Sequence, residues 1–291
     1  MASTFKTFLN NDKTTTRTLL HEAIPITGTI MSGTYGLGAF GVGAESNIKN
    51  YSHGMFQSVY DYPYLSSSAN HIFDLAVGYA AASSLSGGAS QNATQRKNKI
   101  NMYNQMAQVL MGHDVNGNIQ RFDIDGNLAD GAGKMNEVIF INFARLLNKD
   151  EIKKGSFKLD LGVGGAFLGG ATVAPASMTA QIRLYDVSGS DGYFVNSPAG
   201  EYGVLNASNL IGTPIKAGPT ISTQAAGLIF YQAGIAVVTA SVFASGSSLG
   251  ISASAGGISS IQLDSSGLTI NNVLTASTIS GACDDVRHRI Q

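Results

Sequence analysis

The sequence predicts a mainly β protein, sandwich-like or built of mixed sheets, with one long helix around residues 93–112; α+β is the alternative. Three observations lead there. Short apolar bursts recur along the chain, punctuated by Gly, Asn-Gly, Asp-Gly and Pro. A single window carries clear helical spacing. Glycine supplies 35 of 291 residues and charged side chains only 13%, where an ordinary soluble domain carries about 25%.

The length suffices for one large or two medium domains with a real core. Composition divides the chain into an extended arm and Gly-rich segment at 1–48, a main β-rich domain with a helical insertion at 49–204, and a low-charge Gly/Ala/Ser-rich β region at 205–291. The net charge of −1 argues against a nucleic-acid partner, which requires a basic face to displace counterions. Cys283, alone in the sequence, has no internal disulfide partner, which suits a reducing compartment. The opening residues MASTFKTFLNNDKTTTR lack the pattern of a signal peptide.

Taken in order, the first 43 residues are Thr-rich and then Gly-punctuated, and read as extended chain. An aromatic cluster follows: Tyr51, Phe56, Tyr60, Tyr62 and Tyr64, with Pro63 breaking any helix. It supplies packing bulk or, through Tyr60, Tyr62 and Tyr64, a stacking surface for a ligand. Ala69–Tyr79 reads as a strand or short helix, and SSLSGGASQNAT as a loop. In the helix, Ile100, Tyr103, Met106, Val109 and Leu110 form the apolar stripe and Gly112 the stop, with Arg96, Lys97 and Lys99 on a solvated face near its start. Asn116-Gly117 and Asp125-Gly126 mark hairpin turns. Val138–Phe143 fits a buried strand, NKDEIKKGSF an exposed turn or short helix ending at Gly155, and Phe157, Leu159 and Leu161 the inward positions of a half-buried strand. QIRLYDV, GYFVNS and GEYGVL read as further strands.

The uncharged run Ala225–Ser245 has the length of a membrane span, but Gln232 and Gly234 interrupt it and β-branched residues fill its second half. Two strands meeting at Ala233-Gly234 describe it better, so no membrane span is expected. From Leu205 to Ala282 the only charges are Lys216 and Asp264. A surface so bare calls for cover by other protein, since free sheet edges are normally blunted by charge. The expected interface residues are Phe5, Phe8, Ile229, Phe230, Ile235, Val237 and Val242.

Motifs for chemistry are weak. Gly36-Leu-Gly38-Ala-Phe-Gly41 matches a dinucleotide fingerprint, but no helical stripe follows to present amides to phosphate. Asp123, Asp125, Asn127 and Asp130 resemble a calcium loop, yet Leu128 stands where Gly is needed and Lys134 where a bidentate Glu is needed. Hairpin turns account for the pattern, with an adventitious divalent ion as the alternative. The five histidines show no metal-ligand spacing, and no nucleophile elbow is present. The expectation is a non-enzyme with no catalytic residues, cofactor or metal.

VIFINFARLLNKDEIKKGSFKLDLG, SVYDYPYLSSSANHIFDL, FYQAGIAVVT and FLNNDKTTTRTLLHEAIPITG resemble virion structural proteins of T4-like contractile-tailed marine phages, notably those of cyanobacteria. The resemblance runs over most of residues 5 to 240 and does not extend into the Gly/Ala/Ser-rich C-terminal part. It implies a structural subunit of the tail or its baseplate, in a symmetric ring with copies of itself and other virion proteins, assembled in the host cytoplasm and retained in the virion. A capsid decoration, neck or fibre component, and a carbohydrate-binding host-recognition module, are the alternatives.

Overall fold

The computed structural model describes residues 19–20, 47–61, 64–65, 67, 69–87, 93–128, 133–144, 150–163, 180–188, 192–209, 214–215, 224–243, 274, 279–287 and 290. Most of the 1–48 arm, with Phe5, Phe8 and the Gly36–Gly41 motif, lies outside the described residues, as do His21, His288, Lys216 and Asp264.

The fold is mainly β. The strands are β1 (Leu19–Leu20), β2 (Ile48–Asn50), β3 (Gln57–Tyr60), β4 (His71–Tyr79), β5 (Glu137–Asn142), β6 (Glu151–Ile152), β7 (Lys158–Val163), β8 (Ala180–Asp186), β9 (Phe194–Ser197), β10 (Gly200–Asn209), β11 (Pro214–Ile215), β12 (Ala225–Phe230) and β13 (Ile235–Thr239). Among the described residues two α-helices accompany them, α1 (Ala93–Leu110) and α2 (Ile279–Arg287). Eleven strands form one sheet in the order β2-β3-β4-β5-β13-β12-β10-β8-β7, with β9 and β11 also paired to β10. Every pairing within it is antiparallel. β1 and β6 make a separate parallel pair.

Sequence order explains the path. β2 to β5 are laid down as neighbours, and β7, β8 and β10 build the other flank. The β12–β13 hairpin then enters between them, β13 against β5 and β12 against β10. Its turn is the expected one: Gly234 takes φ +65° and its N–H donates to Phe230 O at 2.9 Å. The boundary expected near 204/205 therefore falls inside β10, and the chain on either side of it makes one sheet.

Strand alternation feeds two cores. β5 sends Val138 and Phe140 to one face and Ile139 and Ile141 to the other; β13 sends Val237 with the first pair and Ala236 and Val238 with the second. On the first face α1 lays Met102, Tyr103, Ala107 and Leu110 over the sheet, joined by Phe122, Ile124 and Met135. On the second, α2 packs Ile279, Ala282, Cys283 and Val286. Cys283 Sγ donates to Leu75 O at 3.2 Å, and Arg287 Nε to Gln57 Oε1 at 3.0 Å, both buried. This second core holds Val59 from one end of the sheet and Leu161 and Leu184 from the other, and Ile290 bridges to Leu161. The sheet thus curls about α2, as a wide twisted sheet does.

These placements correct several expectations. Ile229, Phe230, Val237 and Val242 are fully buried in the chain's own core, and Ile235 is half-buried against it. Strands covered on both faces within one subunit need no charge, so these residues are not an outward surface. The NKDEIKKGSF stretch is not wholly exposed: β6 is buried, and the chain turns at Gly155 with φ +75°. Phe157 is half-buried, with Leu159 and Leu161 buried beneath β7 as expected.

Helix α1 spans the expected residues and ends before Gly112 at φ +79°, but its buried stripe is Lys99, Met102, Tyr103, Ala107 and Leu110, while Val109 is 63% exposed. The rotation follows from its seat. A Cβ on Gly78 would lie 2.9 Å from Lys99 O and from Tyr103 N, so the helix backbone rests directly on β4. That contact draws Lys99 inward rather than leaving it solvated. Its ammonium donates to Leu274 O, and burial pushes its pKa down to about 8.

Gly78→Val should therefore cost about 1–3 kcal/mol in urea unfolding, as overpacking does. Gly87→Ala, whose added Cβ meets nothing within 4 Å, should change stability by less than about 0.5 kcal/mol. Equal effects at the two positions would show that α1 does not seat on β4.

Candidate functional site

The aromatic residues singled out from the sequence gather at the β2–β3–β4 corner. Tyr51 stacks on His53 with ring centroids 5.2 Å apart and planes 9° apart, Phe56 tilts against both, and Lys49 Nζ lies 4.8 Å from the Tyr51 centroid. Beyond β3, Asp61 and Asn70 clamp the base of the β3–β4 loop: Asn70 N donates to Asp61 Oδ1 at 2.6 Å and Asn70 Nδ2 to Asp61 Oδ2 at 2.8 Å. The loop holds Tyr64, 37% exposed, with its ring 6.3 Å from that of half-buried Tyr60. Tyr62 lies outside the described residues.

Beneath the rings lies a group that spacing did not reveal. Ser58 Oγ donates to Asp74 Oδ1 at 2.5 Å, and His71 Nε2 sits 2.6 Å from the same oxygen. A β-bulge at Tyr60, which pairs with His71 while Val59 pairs with Phe73, turns His71 onto this face. Serine, aspartate and histidine are all present, but in the wrong order for a nucleophile. Activation of a serine needs the imidazole between hydroxyl and carboxylate; here the carboxylate stands in the middle and holds both. The trio ties β3 to β4 under Tyr60, whose ring meets His71 edge-on at 5.4 Å.

A second polar group lies in the segment after α1. Asp114 caps its loop, its Oδ1 accepting from Asn116 N at 2.9 Å and Asn118 N at 2.8 Å, and Gly117 and Gly126 take φ +82° and +77°. The loops are wider than two-residue hairpins, closed by single bridges His113–Ile119 and Asp123–Lys134, because side-chain turns at Asp114 and Asp125 take up the extra residues. In the second loop Lys134 Nζ donates to the fully buried Asp123 Oδ2 at 2.6 Å. The ammonium thus stands where the calcium-loop pattern would need a ligand, and Asp130 lies outside the described residues. Burial, then the hydrogen bond its protonated carboxyl donates to the Asp125 carboxylate, push Asp123 up to about 6, while accepting that bond holds Asp125 below the usual range.

The third group ties the turn between β6 and β7 to the sheet. Lys154 Nζ lies 2.7 Å from Glu201 Oε2 and 3.7 Å from Glu151 Oε1, with the Tyr193 and Tyr231 ring centroids at 4.4 and 5.5 Å. Asp186 accepts from Tyr231 Oη at 2.9 Å, Gly155 N at 2.6 Å and Ser188 N at 2.8 Å. Tyr231 is fully buried, and burial raises its phenol pKa. These bonds order a turn that sequence placed in solvent.

Among the described residues no cluster of three or more His, Cys, Asp or Glu is arranged to hold a metal, and no helix is long and apolar enough to cross a membrane. No protein-family model, curated protein or solved structure matches the chain.

Asp74→Ala should cost about 1–3 kcal/mol by chemical denaturation, because it removes the acceptor that a buried hydroxyl and an imidazole share and leaves Ser58 Oγ only its longer 3.2 Å contact with Tyr51 Oη. Tyr64→Ala, at the exposed loop, should stay within about 0.5 kcal/mol. An Asp74→Ala variant as stable as Tyr64→Ala would show that the trio does not form.

Proposed function

We propose that the chain is a non-enzymatic structural subunit of a phage virion, in the tail or baseplate, acting by packing against other virion proteins and copies of itself. The observation that carries this reading is a stretch of composition. Burial in the sheet accounts for the absence of charge from 225 to 243, but residues 244–273 follow with Asp264 as their only charge and lie outside the described core. A segment of that length with a single charge is suited to cover by a neighbour, as in obligate interfaces. The short stretches that resemble virion proteins of contractile-tailed phages point the same way. So does the body itself: a wide antiparallel sheet covered on both faces is a rigid part, and its Ser-Asp-His trio has an order that ties strands rather than activates a hydroxyl.

The half-exposed Tyr60–Tyr64 pair favours a second reading, a carbohydrate-binding module. In that case Tyr64→Ala abolishes glycan binding and leaves assembly intact.

The assembly reading is tested by sedimentation of the purified chain and by cross-linking mass spectrometry on intact particles. The expected result is association at micromolar concentration and carbodiimide cross-links from Asp264 to lysines of neighbouring virion subunits. A monomer at every concentration, with no peptide of the chain in purified particles, overturns it.

A further inference from the structure

Asp123, Asp125 and Lys134 are arranged for more than an ion pair. Asp123 and Lys134 face each other across an antiparallel bridge, and the amine lies 2.6 Å from one carboxyl oxygen, hence in contact with the carboxyl carbon. The Asp123 side chain is wholly buried and that of Lys134 is 12% exposed. Over the same loop the Phe194 ring covers Gly126 so closely that a Cβ there would lie 2.4 Å from it, and Phe194, Tyr202 and Phe230 stack at 5.2 and 5.1 Å. The Asp125 carboxyl is hydrogen-bonded to that of Asp123, while Asp125 Oδ1 is anchored by Asn127 N at 3.0 Å. An amine and a carboxyl, largely out of water, are thus held beside a second, half-buried carboxyl able to carry protons between them.

We propose that Lys134 Nζ and Asp123 Cγ join in a spontaneous intramolecular amide bond, with Asp125 relaying the proton. The inference concerns a covalent modification and does not rest on the assembly reading.

In the reactive form one proton is carried on Asp123, Asp125 is a carboxylate and Lys134 is an ammonium. The ammonium gives a proton to Asp125, and the freed amine attacks Asp123 Cγ, forming the C–N bond. Asp125 passes its proton to the departing hydroxyl, the C–O bond breaks and water leaves. The nitrogen then surrenders its second proton to Asp125. One amide, one water and a protonated Asp125 account for every atom, with no oxidant and no co-reactant. Three features favour the step here. Holding nucleophile and carbon in contact replaces a bimolecular encounter, an advantage that reaches effective molarities of about 10⁵–10⁸ M in well-oriented systems. Conversion of the Lys134 ammonium and the Asp125 carboxylate to a neutral amide and a neutral carboxyl also relieves the cost of keeping two charges in a partly desolvated site. Burial and Asp125 raise the Asp123 pKa to about 6, so the protonated, electrophilic carboxyl is populated far more than at an ordinary aspartate and increasingly as pH falls toward 6.

Mass spectrometry of the purified full-length chain decides the matter. The expected intact mass is one water below that of the sequence. Trypsin then leaves residues 122–145 as one peptide, uncut after Lys134, with no backbone fragment ions between Asp123 and Lys134. Asp125→Asn restores the full mass and the cut, and Asp123→Asn loses one ammonia in place of water. A full-mass chain that yields separate 122–134 and 135–145 peptides overturns the proposal. So does a water loss that leaves Lys134 cleavable, which marks a succinimide at Asp125-Gly126.

Discussion

The β12–β13 hairpin is the constraint on which the structure depends. It enters between β5, laid down some ninety residues earlier, and β10, and without it the sheet falls into two parts with open edges. Both of its faces are covered. Leu228, Phe230 and Val237 face α1 and the Phe122 segment, while Ile229, Ala236 and Val238 face α2. Full burial of a side chain of this size contributes about 1.5–3 kcal/mol, so the hairpin gains from two cores at once. Gly227 makes the fit possible: a Cβ there would lie 2.2 Å from Val237 O.

The other polar ties read as ways of fixing elements to this centre. Lys99 and Arg287 are charged yet buried, one bound to Leu274 O and the other to Gln57 Oε1, and they pin α1 and the C-terminal helix. Asp186 and Lys154 hold the β6–β7 turn against β10 and β12. Each is a charge that becomes costly once its partner is removed, and such pairs specify one arrangement more than they add to stability.

Much of the fold was legible because strand signals are local. The β12–β13 hairpin follows from Gln232 and Gly234 interrupting an apolar run, β5 and β7 from their burial pattern, and α1 from spacing and Gly112. What sequence could not supply was partnership. Val237 looks the same whether it faces its own core or a neighbour, and only the order of strands shows it to be central. The helix stripe was misjudged because Gly78, distant in sequence, sets its rotation. The Ser58–Asp74–His71 trio arises from a bulge, and the Asp123–Lys134 pair from a wide loop; neither leaves a periodic trace. Lys134 carried a faint signal, since it occupies the last position of a calcium-like loop where an anion is needed.

The most direct test of this account is amide hydrogen exchange on the isolated full-length chain at high dilution, read by mass spectrometry. Peptides covering residues 225–239 should be among the slowest to exchange, together with those of β5, because the chain buries them without help from any neighbour. Rapid exchange of 225–239 in the isolated chain, with protection gained only on assembly, would contradict it and return the hairpin to the surface.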